Sequence, residues 1–124
     1  MSAWKKLLAS PAADGDLNIE DVFNTFTYKG TNQALTINNG IDLSGEGGLV
    51  WLKPRSTSGY HQLYDTVRGV RKVLRSEANA AEESIGNANY GLNAFNSNGF
   101  ALGLNYNGAN QNNIDEVAWT FRKA

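Results

Sequence analysis

Gly47-Gly48-Leu49-Val50-Trp51-Leu52-Lys53 is apolar at consecutive positions and stops at Pro54. An apolar run of that length, bounded by turn residues, reads as a strand inside a sheet, and proline ends it because it cannot donate to a ladder. Working outward, His61 to Val67 alternates, with Leu63 and Val67 on one face and Tyr64 on the other, and Val70 to Leu74 continues after Gly69. Phe100, Leu102, Leu104 and Tyr106 recur with period two, as do Val117, Trp119 and Phe121, the latter with Ala118, Thr120 and Arg122 facing away. That assignment puts Trp51 and Trp119 inside, and truncating Trp51 to Ala is then expected to cost about 3 to 5 kcal/mol.

Towards the N-terminus, Val22, Phe26 and Tyr28 share one face of an extended segment, with Asn24 the exception. Lys29-Gly30-Thr31-Asn32 turns into Ala34 to Ile37, and Asn38-Asn39-Gly40 is a further turn signal. Gly and Asn crowd the stretch from Gly86 to Asn113, and both tolerate the left-handed backbone of tight turns. Seven or eight short strands at roughly ten-residue spacing predict an all-β antiparallel sandwich over residues 21–124. Ser76 to Ser84 reads as a short helix or an irregular loop.

Ahead of the sandwich, residues 1–20 read as an arm and linker. Trp4, Leu7 and Leu8 fall at helical spacing and Ser10-Pro11 ends the pattern, giving one short amphipathic turn that needs a surface to dock on. Ala12 to Asp21 is acidic and rich in small residues.

Composition removes several classes of function. The 124 residues contain no cysteine, which excludes thiol catalysis, zinc thiolates, iron–sulfur clusters and disulfides. A net charge of -1 provides no global field for a polyanion, so no nucleic-acid partner is expected. Leu7-Leu8-Ala9 is too short for a signal-peptide core or a membrane span.

Candidate chemistry is sparse. Asp14, Asp16, Asn18 and Glu20 alternate like calcium ligands, but Ile19 stands where the loop needs glycine and Thr25 where it needs a bidentate glutamate, so a solvated linker is the reading and no metal is expected. His61, the one histidine, has no Gly-x-Ser-x-Gly elbow to serve and reads as structural. Asp42, Glu46, Asp65, Asp115 and Glu116 supply acids that a glycoside-cleaving enzyme would pair, a third-ranked alternative. Gly45-Glu46-Gly47-Gly48 precedes a strand instead of a helix and reads as a turn, not a phosphate loop. Arg68, Arg71, Lys72 and Arg75 form a basic cluster, followed at once by Glu77, Glu82 and Glu83. An edge facing another subunit is one role for it.

Tyr28-Lys29-Gly30-Thr31, Ile41-Asp42-Leu43, Gly47 to Lys53, Tyr64-Asp65-Thr66-Val67-Arg68-Gly69, Phe95-Asn96-Ser97-Asn98-Gly99-Phe100 and Ala118-Trp119-Thr120-Phe121-Arg122 together resemble a concanavalin-like or laminin-G-like module of tail fibres and other virion proteins of marine phages and cyanophages. Trp4-Lys5-Lys6-Leu7-Leu8 is similar to the start of cyanophage appendage proteins, in which the first residues attach the protein to the particle. The resemblance implies a jelly-roll-like sandwich without enzymatic activity or cofactor, made in the host cytoplasm and placed on the virion surface. Relatives carry the module within longer fibres, whereas one copy is present here. The expectation is therefore a capsid decoration or cement subunit, oligomeric in the particle and contacting capsid or tail proteins. Its partner-binding residues would be Trp4, Lys5, Leu7, Leu8, Arg68, Arg71, Lys72 and Arg75. The alternative is a fibre-tip adhesin that binds host polysaccharide through Tyr60, Tyr90 or Tyr106. No membrane partner is expected.

Overall fold

Short strands, Gly and Asn turns and one long apolar run resolve into two antiparallel sheets packed against each other, in a computed structural model that describes residues 18–123. The elements, in chain order, are α1 (Ile19–Val22), β1 (Phe23–Lys29), β2 (Leu35–Asn38), α2 (Leu43–Glu46), β3 (Gly48–Pro54), β4 (Gln62–Asp65), β5 (Lys72–Arg75), β6 (Glu83–Ser84), β7 (Leu92–Asn96), β8 (Gly99–Leu102) and β9 (Asp115–Arg122). The large sheet has the order β1-β9-β3-β4-β5-β6 and the small one β2-β8-β7. The all-β sandwich expected from the alternation is the architecture found. Trp4, Lys5, Leu7, Leu8 and the linker up to Leu17 lie outside the described residues.

Between the sheets lie Ile37, Phe100, Leu102 and Leu92 from the small sheet and Val50, Leu52, Tyr64, Val73 and Ala118 from the large one, with Ile41 and Leu43 sealing one end. Asn39 ties the layers together. Its amide donates to Thr120 Oγ1 of β9 at 2.9 Å, and its carbonyl oxygen accepts the Ile41 N–H at 3.1 Å. The Asn38-Asn39-Gly40 turn thus supplies a buried cross-sheet bond as well as a change of direction. Gly99 fits the small sheet for a steric reason: its φ is 151°, and a Cβ there would collide with the Ile37 carbonyl oxygen.

Several boundaries differ from the sequence reading. Val22 belongs to a single helical turn, and β1 starts at Phe23. β4 ends at Asp65, so Val67 sits in a turn and is 95% exposed instead of sharing a face with Leu63. β8 ends at Leu102, because Gly103 bonds back to Gly91 and the chain enters the turns around Tyr106. Ser76 to Glu82 is irregular, and only Glu83–Ser84 pair as a strand.

The main correction concerns which way the tryptophans point. In β9 the core-facing set is Glu116, Ala118 and Thr120, each 0% exposed, while Trp119 is partly exposed and Phe121 is 39% exposed. In β3, Val50 and Leu52 face the core and Trp51 lies on the opposite parity. Side chains alternate faces, so a choice of parity flips a whole strand at once. The interior already holds Tyr64, Phe100, Ile37 and Leu102, and native packing density leaves room there for Ala and Thr but not for a second set of large rings.

Candidate functional site

The inverted parity builds a surface. Register across the large sheet aligns Phe23, Phe121, Leu49 and Asp65 in one row and Thr25, Trp119, Trp51, Leu63 and Leu74 in the next. These side chains stand on the outer face, away from the small sheet. Phe23 and Phe121 have ring centroids 4.9 Å apart, and Trp51 and Trp119 are 5.0 Å apart and tilted by 49°. Cross-strand aromatic pairs of this kind hold neighbouring strands in register. They also leave a continuous apolar stripe on the side of the sheet that faces out. Trp51 Nε1 is buried within it and has no hydrogen-bond acceptor among the described residues.

The basic residues singled out in the sequence do not form one patch. Arg68 closes the turn after β4: its backbone N–H and Nε donate to Asp65 at 2.7 and 2.6 Å, with Glu82 at 3.7 Å. Burial works against ionisation of Asp65, but the bonds from Arg68 outweigh it and hold the carboxyl below its ordinary range. Arg71 adopts a left-handed backbone, φ 61°, and donates from Nη1 to the Ile85 carbonyl at 2.9 Å. Lys72, on the parity opposite Val73, donates to Ser84 Oγ at 2.8 Å.

Arg75 is stacked over the Tyr60 ring at 3.5 Å and bonded to Glu77, with Glu83 at 3.9 Å. The acids that follow the cluster in sequence are therefore its partners in space. This leaves two of the four guanidinium and ammonium groups, Arg71 and Lys72, beside a small pocket of about 250 Å³ formed with Val70, Ser84, Ile85 and Gly86.

A third feature is polar. Ser58, Gly59, Tyr60, Asn105, Asn107, Gly108 and Gln111 line an open cleft of about 380 Å³. Tyr60 is fixed there by its N–H bond to the Asn107 carbonyl and by an edge contact with Tyr106, ring centroids 6.4 Å apart. Asn105 organises the rim, its Oδ1 accepting the Gly108 and Asn110 N–H groups. Tyr106 donates to Glu83 at 2.8 Å, and burial first, then that carboxylate, pushes its hydroxyl up to about 12. The cleft residues carry amides, two hydroxyls and one aromatic ring.

The acids weighed as a catalytic set have separate tasks. Asp42 caps α2 by accepting the Gly45 N–H at 2.8 Å, Asp65 holds Arg68, and Asp115 pairs with Lys29 at 2.6 Å across β1 and β9. His61 donates its backbone N–H to Glu77 just before β4. Asn18, the third member of the calcium-like alternation, precedes α1, where its N–H meets the Asp21 carboxylate at 3.4 Å, and the fourth, Glu20, lies in the first turn of that helix. Among the described residues no group of three His, Asp or Glu side chains is placed to hold a metal, and no helix is long and apolar enough to cross a membrane.

One of the acids weighed for a carboxylate pair, Glu116, is buried, which the sequence reading did not anticipate. Glu116 is 0% exposed on the core side of β9; its Oε2 accepts the Gln111 N–H at 3.1 Å and Oε1 has no partner among the described residues. Burial pushes its carboxyl up to about 7 against the opposing pull of that one hydrogen bond. The signal in the sequence was an acid at the strand parity of Ala118 and Thr120, legible only once parity is known.

A family described as Domain of unknown function (DUF7483) matches residues 19–124. No curated protein and no solved structure matches the chain.

Proposed function

We propose that this chain, which belongs to the DUF7483 family, is a non-enzymatic structural protein of a phage particle, a decoration or cement subunit held on its neighbours by protein–protein contact. The observation that carries the reading is the outward aromatic stripe of Phe23, Leu49, Trp51, Trp119 and Phe121 on the large sheet. Four of these side chains are partly buried against one another and Phe121 is exposed; aromatic surface left partly open on the outside of a sheet supports an interaction site, and large aromatics are the side chains that concentrate binding energy at interfaces. The resemblance of the sequence blocks to virion modules supplies the setting. Repetition over a lattice lets a modest contact per copy suffice.

The test is occupancy on particles. Purified virions stripped of this protein are incubated with the wild-type chain, with a chain lacking residues 1–12, and with Trp119→Ser, and decoration is read by cryo-EM. Wild type should bind at regular sites on the capsid, and both variants should lose most of that occupancy. A wild-type chain that leaves capsids bare, or variants that decorate as well as wild type, would refute the proposal.

A second reading, an adhesin for host polysaccharide, is supported by the Tyr60 cleft, whose amide and hydroxyl lining suits a neutral polyhydroxylated ligand. A glycan array probed with the isolated protein separates the two. Binding that is lost in Tyr60→Ala and retained in Trp119→Ser would favour the adhesin.

A further inference from the structure

We infer that the pocket beside β5 and β6 is a receptor for one carboxylate, the side chain of an Asp or Glu on an extended segment of a neighbouring protein. The inference rests on reading this chain as a subunit held by protein contacts, and it names the chemistry of one such contact.

Charge is divided unevenly along Arg68 to Arg75. Asp65 and Glu82 lie against Arg68, and Glu77 and Glu83 against Arg75. Arg71 and Lys72 are held instead by neutral atoms, the Ile85 carbonyl and the Ser84 hydroxyl, and among the described residues neither meets a carboxylate. An arginine side chain has five N–H donors and a lysine three, so most of these donors are left for a ligand. Both residues line the same pocket of about 250 Å³.

The backbone at Arg71 is an independent sign. Four non-glycine residues have positive φ, and the other three are Asn32, Asn107 and Asn113. Asparagine takes up this conformation readily, whereas a long side chain is uncommon there. An arginine placed where asparagine would sit more easily points to a use for its guanidinium.

The surroundings favour a peptide over a sugar. Val70 and Ile85 give the pocket an aliphatic wall, and no aromatic ring lines it for a pyranose to stack on. β6 is the last strand of its sheet. Because the Ile85 N–H goes to the Arg71 carbonyl, the alternation of an antiparallel ladder turns the backbone groups of Ser84 outward. An extended chain laid along that edge finds backbone partners, aliphatic contact and two cations for one acidic side chain.

The test is an NMR titration of the 15N-labelled protein at low ionic strength with the blocked tripeptide acetyl-Val-Asp-Val-amide, its Asn analogue and methyl glucuronide. The Asp peptide should shift the amides of Lys72, Ile85 and Gly86 and leave those of β2 in place, with a Kd of order millimolar, as solvent-screened contacts allow. Arg71→Asn suits the left-handed backbone and Lys72→Gln keeps a donor for Ser84, so both should fold; each should weaken binding about tenfold or more, the worth of one charge-assisted hydrogen bond. Lys53→Gln makes the same change of charge in β3 and should leave the Kd within about twofold, because a distant exposed charge is screened.

Amides that do not move, shifts that the Asn analogue reproduces with equal affinity, or binding that survives both pocket variants overturn the inference. So does glucuronide that binds more tightly than the Asp peptide, which would make a saccharide the ligand. Decoration of particles is scored separately: a pocket that takes the Asp peptide in a protein that never decorates virions sinks only the particle reading, and decoration without peptide binding sinks only this one.

Discussion

At the residue scale the least expected group is Glu116. A carboxyl with its folded value pushed up to about 7 binds its proton more tightly in the native state than in the unfolded chain, whose ordinary value is 4.5. Between those values the folded state holds the extra proton, so its stability is greatest at the acid end of the window and falls as pH rises through 7. The slope is at most about 1.4 kcal/mol per pH unit. Asp65, Glu77 and Asp115 work in the opposite sense: their folded values are depressed, so their contribution is present above the ordinary carboxylate range and is lost in more acidic solution. Denaturant melts from pH 5 to 8 should show a declining limb in the wild-type protein that flattens in Glu116→Gln. An unchanged limb in that variant would place the pH dependence elsewhere.

At the scale of elements, β3 and β9 decide both the fold and the site. Trp51 and Trp119 are half-buried against each other on the outer face, so removing one loses a ring pair and part of its apolar contact, a cost of about 1 to 2 kcal/mol. Phe100 in β8 is 0% exposed, and Phe100→Ala should cost about 3 to 5 kcal/mol. Urea titrations of Trp119→Ala and Phe100→Ala check the ordering; an equal or larger loss for Trp119→Ala would return the indole to the core.

These same strands show what the sequence could tell. Their existence was legible from the run Leu49 to Lys53 and the alternation Val117 to Arg122, as was the turn at Asn38-Asn39-Gly40. Parity was not, because β3 is apolar on both sides, and β9 offers a choice between three large apolar residues and Glu116, Ala118 and Thr120. Only the volume contributed by the small sheet selects the smaller set. The pairing of Arg68 with Asp65 was close in sequence and open to inspection. The stacking of Arg75 on Tyr60 required knowing that β4 and β5 are neighbours.

On the scale of the whole molecule, the order β1-β9-β3 places the last strand between the first and a middle one. β9 is paired along its length on both sides, from Phe23↔Phe121 to Lys29↔Asp115 with β1 and from Gly48↔Arg122 to Pro54↔Glu116 with β3. Its inner side chains are core, and its outer ones are the centre of the aromatic stripe. The strand cannot be a late addition to a body formed without it: β1 would have no partner in the large sheet, and the Val50 and Leu52 side of the core would lose Ala118 and the Thr120–Asn39 bond. Folding that must join the two ends of the described chain before the sheet is complete is non-local, and such topologies fold in about milliseconds to seconds.

A chain ending at Ile114 should therefore fail to fold, with no cooperative thermal transition and collapsed amide dispersion. Adding residues 115–124 as a separate peptide should restore the fold, since the missing strand brings both its ladders with it. A truncated protein that still melts cooperatively would show that β3 to β6 and the small sheet form a self-sufficient body. β9 would then be an accessory, and its aromatic face could be offered to partners without being part of the core's construction.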